Sequence, residues 1–264
     1  MEPPKPAGCP PRGVFTTLRA ALLADALAPS ALLARHHARL RLAARDCLAA
    51  SLPPPLASAA NFAAFVGAKC REARAEGPAV FRVRVEVGGP ARDGVLQTLR
   101  CDVVAAPQLL AVCEQLPRRG WSSPVGTLRV RLDPAASCTA GVEVRYKTTE
   151  RGVYDAARRR VGEAVDDVLL WNERGEVTEA SIANFAVERE EGVWVTPPQS
   201  CGLLAGVMRE QLLEGSSDAE AEGGVLKEEV VSVAELKRLV LGEGRRLIGF
   251  NALRGVFAME LVEG

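Results

Sequence analysis

An α+β fold is predicted, and three features of the sequence predict it. The stretch Ser30–Ala50 places apolar residues at helical spacing. The run Phe81–Val87 alternates apolar and charged residues at period two. The second half is a series of short apolar runs separated by turn residues, closing with Leu247–Leu261.

The elements follow in order. Residues 1–12 (MEPPKPAGCPPR) are proline-rich, lack the apolar core of a signal peptide and read as a disordered lead. Val14–Arg19 is a short strand. In Ser30–Ala50, Leu32, Leu33 and Leu40 with the alanines form one helical face, while Arg35, Arg39, Arg41 and Arg45 occupy much of the rest. Pro53–Pro55 stops that helix, and a second spans Ala60–Ala75. Gly88-Gly89-Pro90 interrupts the strand at Phe81–Val87. Val95–Ala105 resumes as its partner, and Thr127–Leu132 is a further strand. The second half gives a helix at Tyr154–Val161, a strand at Asp167–Trp171 and a hairpin turn at Asn172–Gly175. Strands follow at Val177–Val187 and Val193–Thr196, then a helix after Gly206 through Leu213. Gly215–Gly224 is a polar loop, Val233–Leu241 a helix and Leu247–Leu261 the closing strands. This divides the chain into a smaller N-terminal α+β lobe over 13–115 and a larger C-terminal lobe over 116–264.

Of 264 residues, 33 are basic and 33 acidic, so no net field favours nucleic acid or a membrane surface. No apolar run approaches the roughly 18 residues of a membrane span. A small-molecule partner and a cytoplasmic location are expected. The seven cysteines are widely spaced, without a CxxC pair or disulfide framework. The two histidines, His36 and His37, offer little for a metal site, and none is expected.

The chemistry rests on an ordered set of motifs. Lys147, in Tyr146-Lys147-Thr148-Thr149-Glu150-Arg151, would alone read as a solvated surface charge. It is followed by Val177-Thr178-Glu179 with Asn184-Phe185, then Thr196-Pro197-Pro198, then Gly202-Leu203-Leu204-Ala205-Gly206-Val207-Met208-Arg209. Upstream stand Gly13–Arg19 (GVFTTLR) and His36–Leu40 (HHARL). Together, over roughly 13–260, these resemble the class IV aminotransferase family of fold type IV, which depends on pyridoxal 5'-phosphate. In that family a lysine is followed by V-T-E-x-x-x-x-N, T-P-P and G-x-L-x-G-[IV]-x-R, with H-x-x-R-L upstream.

The resemblance implies a two-lobe fold whose C-terminal lobe binds the cofactor, and a homodimer. Lys147 would be the cofactor lysine, since an unprotonated amine can both bond the aldehyde and move protons. Glu179 would hold the proton on the pyridine nitrogen, with Asn184 nearby. Arg39 and the helix opening at Gly206, Val207 and Met208 would hold the phosphate. Substrate candidates are Tyr154, Asn251 and Arg254, the arginine as a bidentate carboxylate partner. Tyr154 also reads as a core residue and Arg254 as part of a turn. The chain enters almost directly at the F-x-T strand, so the N-terminal lobe is expected to be shortened. Met208, where many transaminases carry threonine, and Asn251–Gly255 (NALRG) resemble the family's aminodeoxychorismate lyases. Those enzymes take a small-molecule amine. Branched-chain or D-amino acid transamination is the alternative, and a catalytically silent member the third.

Overall fold

The structure is a computed structural model that describes residues 11–23, 26–28, 30–73, 80–139, 141–216 and 224–263. Most of the expected lead and the centre of the expected 215–224 loop lie outside these residues. The described chain forms two compact units. One comprises Met1–Leu110 with Tyr146–Glu150, the other Ala111–Arg145 with Arg151–Gly264. The segment carrying Lys147 therefore belongs to the first unit, although it sits in sequence among the second.

The first unit is a four-stranded antiparallel sheet with two helices. Its elements are β1 (Gly13–Leu23), β2 (Ala26–Leu27), α1 (Ala31–Leu48), α2 (Ala59–Glu72), β3 (Val80–Arg92) and β4 (Val95–Ala105), with strand order β2-β1-β3-β4. The sequence alternation sets the faces. Val14, Leu18, Ala20 and Leu22 of β1 and Phe81, Val83, Val85 and Val87 of β3 are buried with Leu40, Ala44, Phe62 and Val66 of the helices. Each such Val or Leu removed from water contributes about 1.5–3 kcal/mol. Ser30 and Ser58 cap the two helices by accepting from the amides of Leu32 and Asn61. The second helix was expected to run to Ala75; α2 ends at Glu72, and residues 74–79 lie outside the described set.

The second unit is built on β5 (Thr127–Leu132), α3 (Val142–Arg145), α4 (Gly152–Val161), β6 (Asp167–Trp171), β7 (Val177–Ala180), β8 (Asn184–Glu190), β9 (Val193–Thr196), α5 (Val207–Gly215), β10 (Val225–Glu228), α6 (Val233–Lys237), β11 (Leu247–Asn251) and β12 (Gly255–Leu261). The strands form one mixed sheet in the order β10-β9-β8-β11-β12-β5-β6-β7. β5 pairs in parallel with both β12 and β6. Phe185, Val187, Val195, Leu236 and Phe257 are among its buried core.

Three expectations are corrected. The strand expected over Val177–Val187 is two strands, because the Asp167 carboxylate draws the Ile182 amide (3.2 Å) and the Ser181 hydroxyl into a turn. The helix expected over Val233–Leu241 is α-helical only to Lys237 and widens into a π turn over Arg238–Gly242. β10 was not expected; it is a four-residue strand added in parallel beside β9. Burial pushes the thiols of Cys47, Cys70, Cys101 and Cys201 up to about 11, so these cysteines act as packing rather than as nucleophiles. No helix of the described residues is long and apolar enough to cross a membrane.

The β11–β12 turn depends on Gly255, at φ +67°, where a Cβ would lie 2.2 Å from the Cys113 carbonyl oxygen. Gly175, also left-handed at φ +76°, has nothing within 4 Å of that position. Gly255→Ala should therefore cost clearly more stability than Gly175→Ala, which bears only the backbone strain of about 1–2 kcal/mol. Urea unfolding midpoints measure both; equal losses would contradict the close approach.

Candidate active site

In the first unit the lysine is placed by its backbone. Residues 146–150 run antiparallel along β1, with Thr148 opposite Val14. The amide of Phe15 donates to the Lys147 carbonyl at 2.8 Å, and that of Thr149 donates to the Gly13 carbonyl at 2.9 Å. The two threonines secure the segment further. The Thr149 hydroxyl donates to the Gly13 carbonyl at 3.2 Å and the Thr148 hydroxyl to the Glu150 carbonyl at 3.1 Å. At Tyr146 the phenol donates to Asp46 of α1 at 2.6 Å. Held this way, Lys147 Nζ lies over the Phe15 ring, 5.1 Å from its centroid.

The opposite face of β1 carries a buried relay. Arg39 Nη2 donates to the Thr16 hydroxyl at 2.9 Å, and that hydroxyl lies 2.7 Å from Nδ1 of His36. Burial above all, and then the positive charges of Arg39 and Lys147, push the His36 pKa well below its ordinary 6.5. The ring is therefore neutral. Because Thr16 already accepts from Arg39, its own O–H is assigned to Nδ1, which puts the ring proton on Nε2. That nitrogen is buried without a hydrogen-bond partner among the described residues.

In the second unit a buried carboxylate organises the cluster. Glu179 ends β7. Its Oε1 accepts from the Tyr154 hydroxyl of α4 at 2.7 Å and from the Leu204 amide at 3.1 Å. Its Oε2 accepts from Asn184 Nδ2 of β8 at 3.1 Å. This donor set suits an ionised carboxylate. Asn184 also donates to the Leu204 carbonyl at 3.0 Å, tying β8 to the loop before α5. Arg151 stacks on the Tyr154 ring at 4.7 Å and donates to the Ser181 carbonyl at 2.7 Å. Gly206 is the N-cap of α5, without a side-chain cap. A Cβ there would lie 2.0 Å from Asn184 Oδ1, so only glycine lets the helix start against this asparagine. Val207 and Met208 point into the core, and the first-turn amides are what the helix offers.

The structure thus brings Glu179, Asn184, Tyr154 and the start of α5 together within one unit, and Arg39, Thr16 and His36 together within the other, with Lys147 over Phe15 on the opposite face of β1. Tyr154, read as a substrate candidate, spends its hydroxyl on Glu179. Asn251, another candidate, is occupied by the β11–β12 turn. Its Oδ1 accepts from the amides of Leu253 and Arg254 (3.0 and 2.8 Å), and its Nδ2 donates to the Ile182 carbonyl at 3.2 Å. The half-buried Arg254 takes part in that turn through its backbone. Thr16, the Leu204 amide and the Arg84 guanidinium, 3.6 Å from the Phe15 centroid, were not singled out from sequence. Only for Arg84 was there a signal, the alternation that sets it on one face of β3.

A family model for amino-transferase class IV matches residues 13–260. The chain belongs to this family. A candidate aminodeoxychorismate lyase of Schizosaccharomyces pombe is 38% identical over 113 residues, covering 42% of this chain and 44% of that protein. The match thus spans less than half the length of that curated relative. Among solved structures, a candidate amino-acid aminotransferase from Mesorhizobium loti is 26% identical over 95% of this chain and 99% of its own, with a TM-score of 0.67. A candidate 4-amino-4-deoxychorismate lyase from Legionella pneumophila shares the fold at 18% identity and a TM-score of 0.70, covering 95% of this chain and 83% of its own. Class IV enzymes depend on pyridoxal phosphate. Each unit carries residue types that suit that group: the first a lysine fixed through its backbone, the second a carboxylate held by donors and a helix N-terminus without a side-chain cap.

The buried, neutral His36 yields a pH prediction. Its depressed folded pKa means that the unfolded chain takes up the proton first. Stability is therefore full above about pH 6.5 and falls as the pH drops below it, by at most about 1.4 kcal/mol per pH unit from this residue. His36→Asn should flatten that part of the profile between pH 7 and 5, read from urea midpoints. An unchanged slope would contradict a neutral His36.

Proposed function

We propose that the protein is a 4-amino-4-deoxychorismate lyase, converting its substrate to 4-aminobenzoate and pyruvate. The observation that carries this reading is the 38% identity with the Schizosaccharomyces pombe protein. Met208 after Gly206-Val207 and the Asn251–Gly255 turn support it by their resemblance to the family's lyases. The reading includes a homodimer acting in the cytoplasm on a small-molecule amine.

When bound, pyridoxal phosphate supplies an aldehyde that condenses with amines and a protonated ring that accepts an electron pair. Lys147 would hold it and, with its amine free, would be the base that takes the proton from substrate C4. The C3–O bond then breaks. Enolpyruvate leaves and takes up a proton as pyruvate, and the ring becomes aromatic. Glu179, oriented by Tyr154, Asn184 and the Leu204 amide, would keep the proton on the ring nitrogen. Arg39, oriented by Thr16, and the first-turn amides of α5 would hold the phosphate.

The same residues would serve a transaminase, with Lys147 moving a proton away from an amino acid Cα. The Mesorhizobium loti similarity favours that second reading. The two separate on one requirement, because the lyase needs no keto acid.

Purified protein loaded with pyridoxal phosphate should release 4-aminobenzoate and pyruvate from 4-amino-4-deoxychorismate with no keto acid present. Cofactor bound without either product would turn the assignment to transamination. Lys147→Ala should lose the lysine-linked cofactor's absorbance and turnover together, and Glu179→Gln should retain cofactor while losing most turnover. Cofactor retention gives a separate check on the phosphate site. Arg39→Ala should weaken it roughly tenfold or more, the worth of a charge-assisted contact, whereas Arg35→Ala should leave it nearly unchanged. The reverse order would move the clamp to Arg35.

A further inference from the structure

Arg84 is not accounted for by the cofactor or by the fold. It lies on β3, where Val83, Val85 and Val87 face the helices and Arg82, Arg84 and Glu86 face the other way. Register places Phe15 of β1 opposite Glu86, Thr17 opposite Arg84, and Asp102 of β4 opposite Arg84 on its other side. The guanidinium stacks on Phe15, its Cζ 3.6 Å from the ring centroid, and Nη2 donates to Glu86 at 2.7 Å. The side chain is about one-third exposed. Among the described residues Glu86 is its hydrogen-bond partner, and the Asp102 carboxylate across the register makes no hydrogen bond to it.

We propose that Arg84 receives a carboxylate of the amino substrate. Three features of the first unit support this. The planar group is held on its face by Phe15 and at one edge by Glu86, which leaves the rest of its N–H fork oriented before any ligand arrives. The same ring carries Lys147 Nζ at 5.1 Å, so the separation of the two cations cannot exceed the sum of their distances to one centroid. A small molecule with an amine at one end and a carboxylate at the other is large enough to reach across any separation within that bound. Finally, an arginine serving only the sheet would have no need to stack where the reactive lysine does; Arg82, two residues away on the same face, is exposed. The ligand class is an amine with a carboxylate separated from the reacting carbon by the width of a six-membered ring or a short aliphatic chain. The inference rests on Lys147 being the reactive lysine of the proposed function. It deepens that reading by naming what sets substrate choice.

The test is binding to the cofactor-loaded protein, independent of turnover. The dissociation constants of 4-aminobenzoate and 4-aminobenzamide are compared by titration calorimetry for the wild type, Arg84→Met and Arg84→Lys. The wild type should prefer the acid by roughly tenfold to a hundredfold, the worth of a hydrogen-bonded charge pair. Arg84→Met, which keeps the apolar contact with Phe15, should lose that preference by weakening the acid and not the amide, with its cofactor absorbance unchanged. Arg84→Lys, which keeps the charge but not the fork, should fall between. An undiminished preference in Arg84→Met, or none in the wild type, overturns the proposal. Turnover of 4-amino-4-deoxychorismate is scored separately. If the wild type makes no 4-aminobenzoate yet shows a preference for the acid that Arg84 controls, the lyase reading fails and the assignment of Arg84 stands.

Discussion

A charged carboxylate can stay in a protein interior only if donors replace the water it has lost, and Glu179 imposes that demand on the second unit. The donors come from separate places. Tyr154 is on α4, Asn184 follows the turn between β7 and β8, and the Leu204 amide belongs to the loop before α5. To meet them the chain must turn at Ser181–Ala183, bring α4 against the sheet and begin α5 at a glycine. Much of the local geometry of the site is thus a solution to one desolvation problem. The same donors that make burial tolerable also aim the carboxylate.

The first unit meets a different requirement. Its lysine is positioned by the main chain, through two backbone hydrogen bonds with β1, and by two threonine hydroxyls. Its amine lies over the Phe15 ring. Arg39 is oriented indirectly, through a threonine that leans on a neutral histidine.

Much of this was legible in the sequence where the physics is local. The strands Val95–Ala105, Thr127–Leu132, Asp167–Trp171 and Val193–Thr196 have the bounds expected from apolar runs and their flanking turn residues. Lys147, Glu179 and Gly206 stood out because motif spacing carries them. The break at Ser181–Ala183 was hidden, since Asp167 causes it from fourteen residues away and neither glycine nor proline marks it. β10 was hidden because its short Val-Leu-Lys-Glu run gains strand character only from β9. The occupations of Tyr154 and Asn251 likewise depend on partners distant in sequence. Residue type suggested substrate contacts; the hydrogen bonds show Tyr154 holding a carboxylate and Asn251 holding a turn.

The pairing of residues 146–150 with β1 has a consequence for the birth of the molecule. The bond from Thr149 to Gly13 closes a loop of 136 residues, so the sheet formed by the first hundred residues stays incomplete at that edge while the ribosome makes the next forty or so. During that interval an unpaired strand edge is exposed, which is a hazard for nascent chains. The late pairing also carries Lys147, so a chain that misses this contact leaves it without the backbone that positions it. Pairing that stretch of β1 and positioning Lys147 are therefore one event.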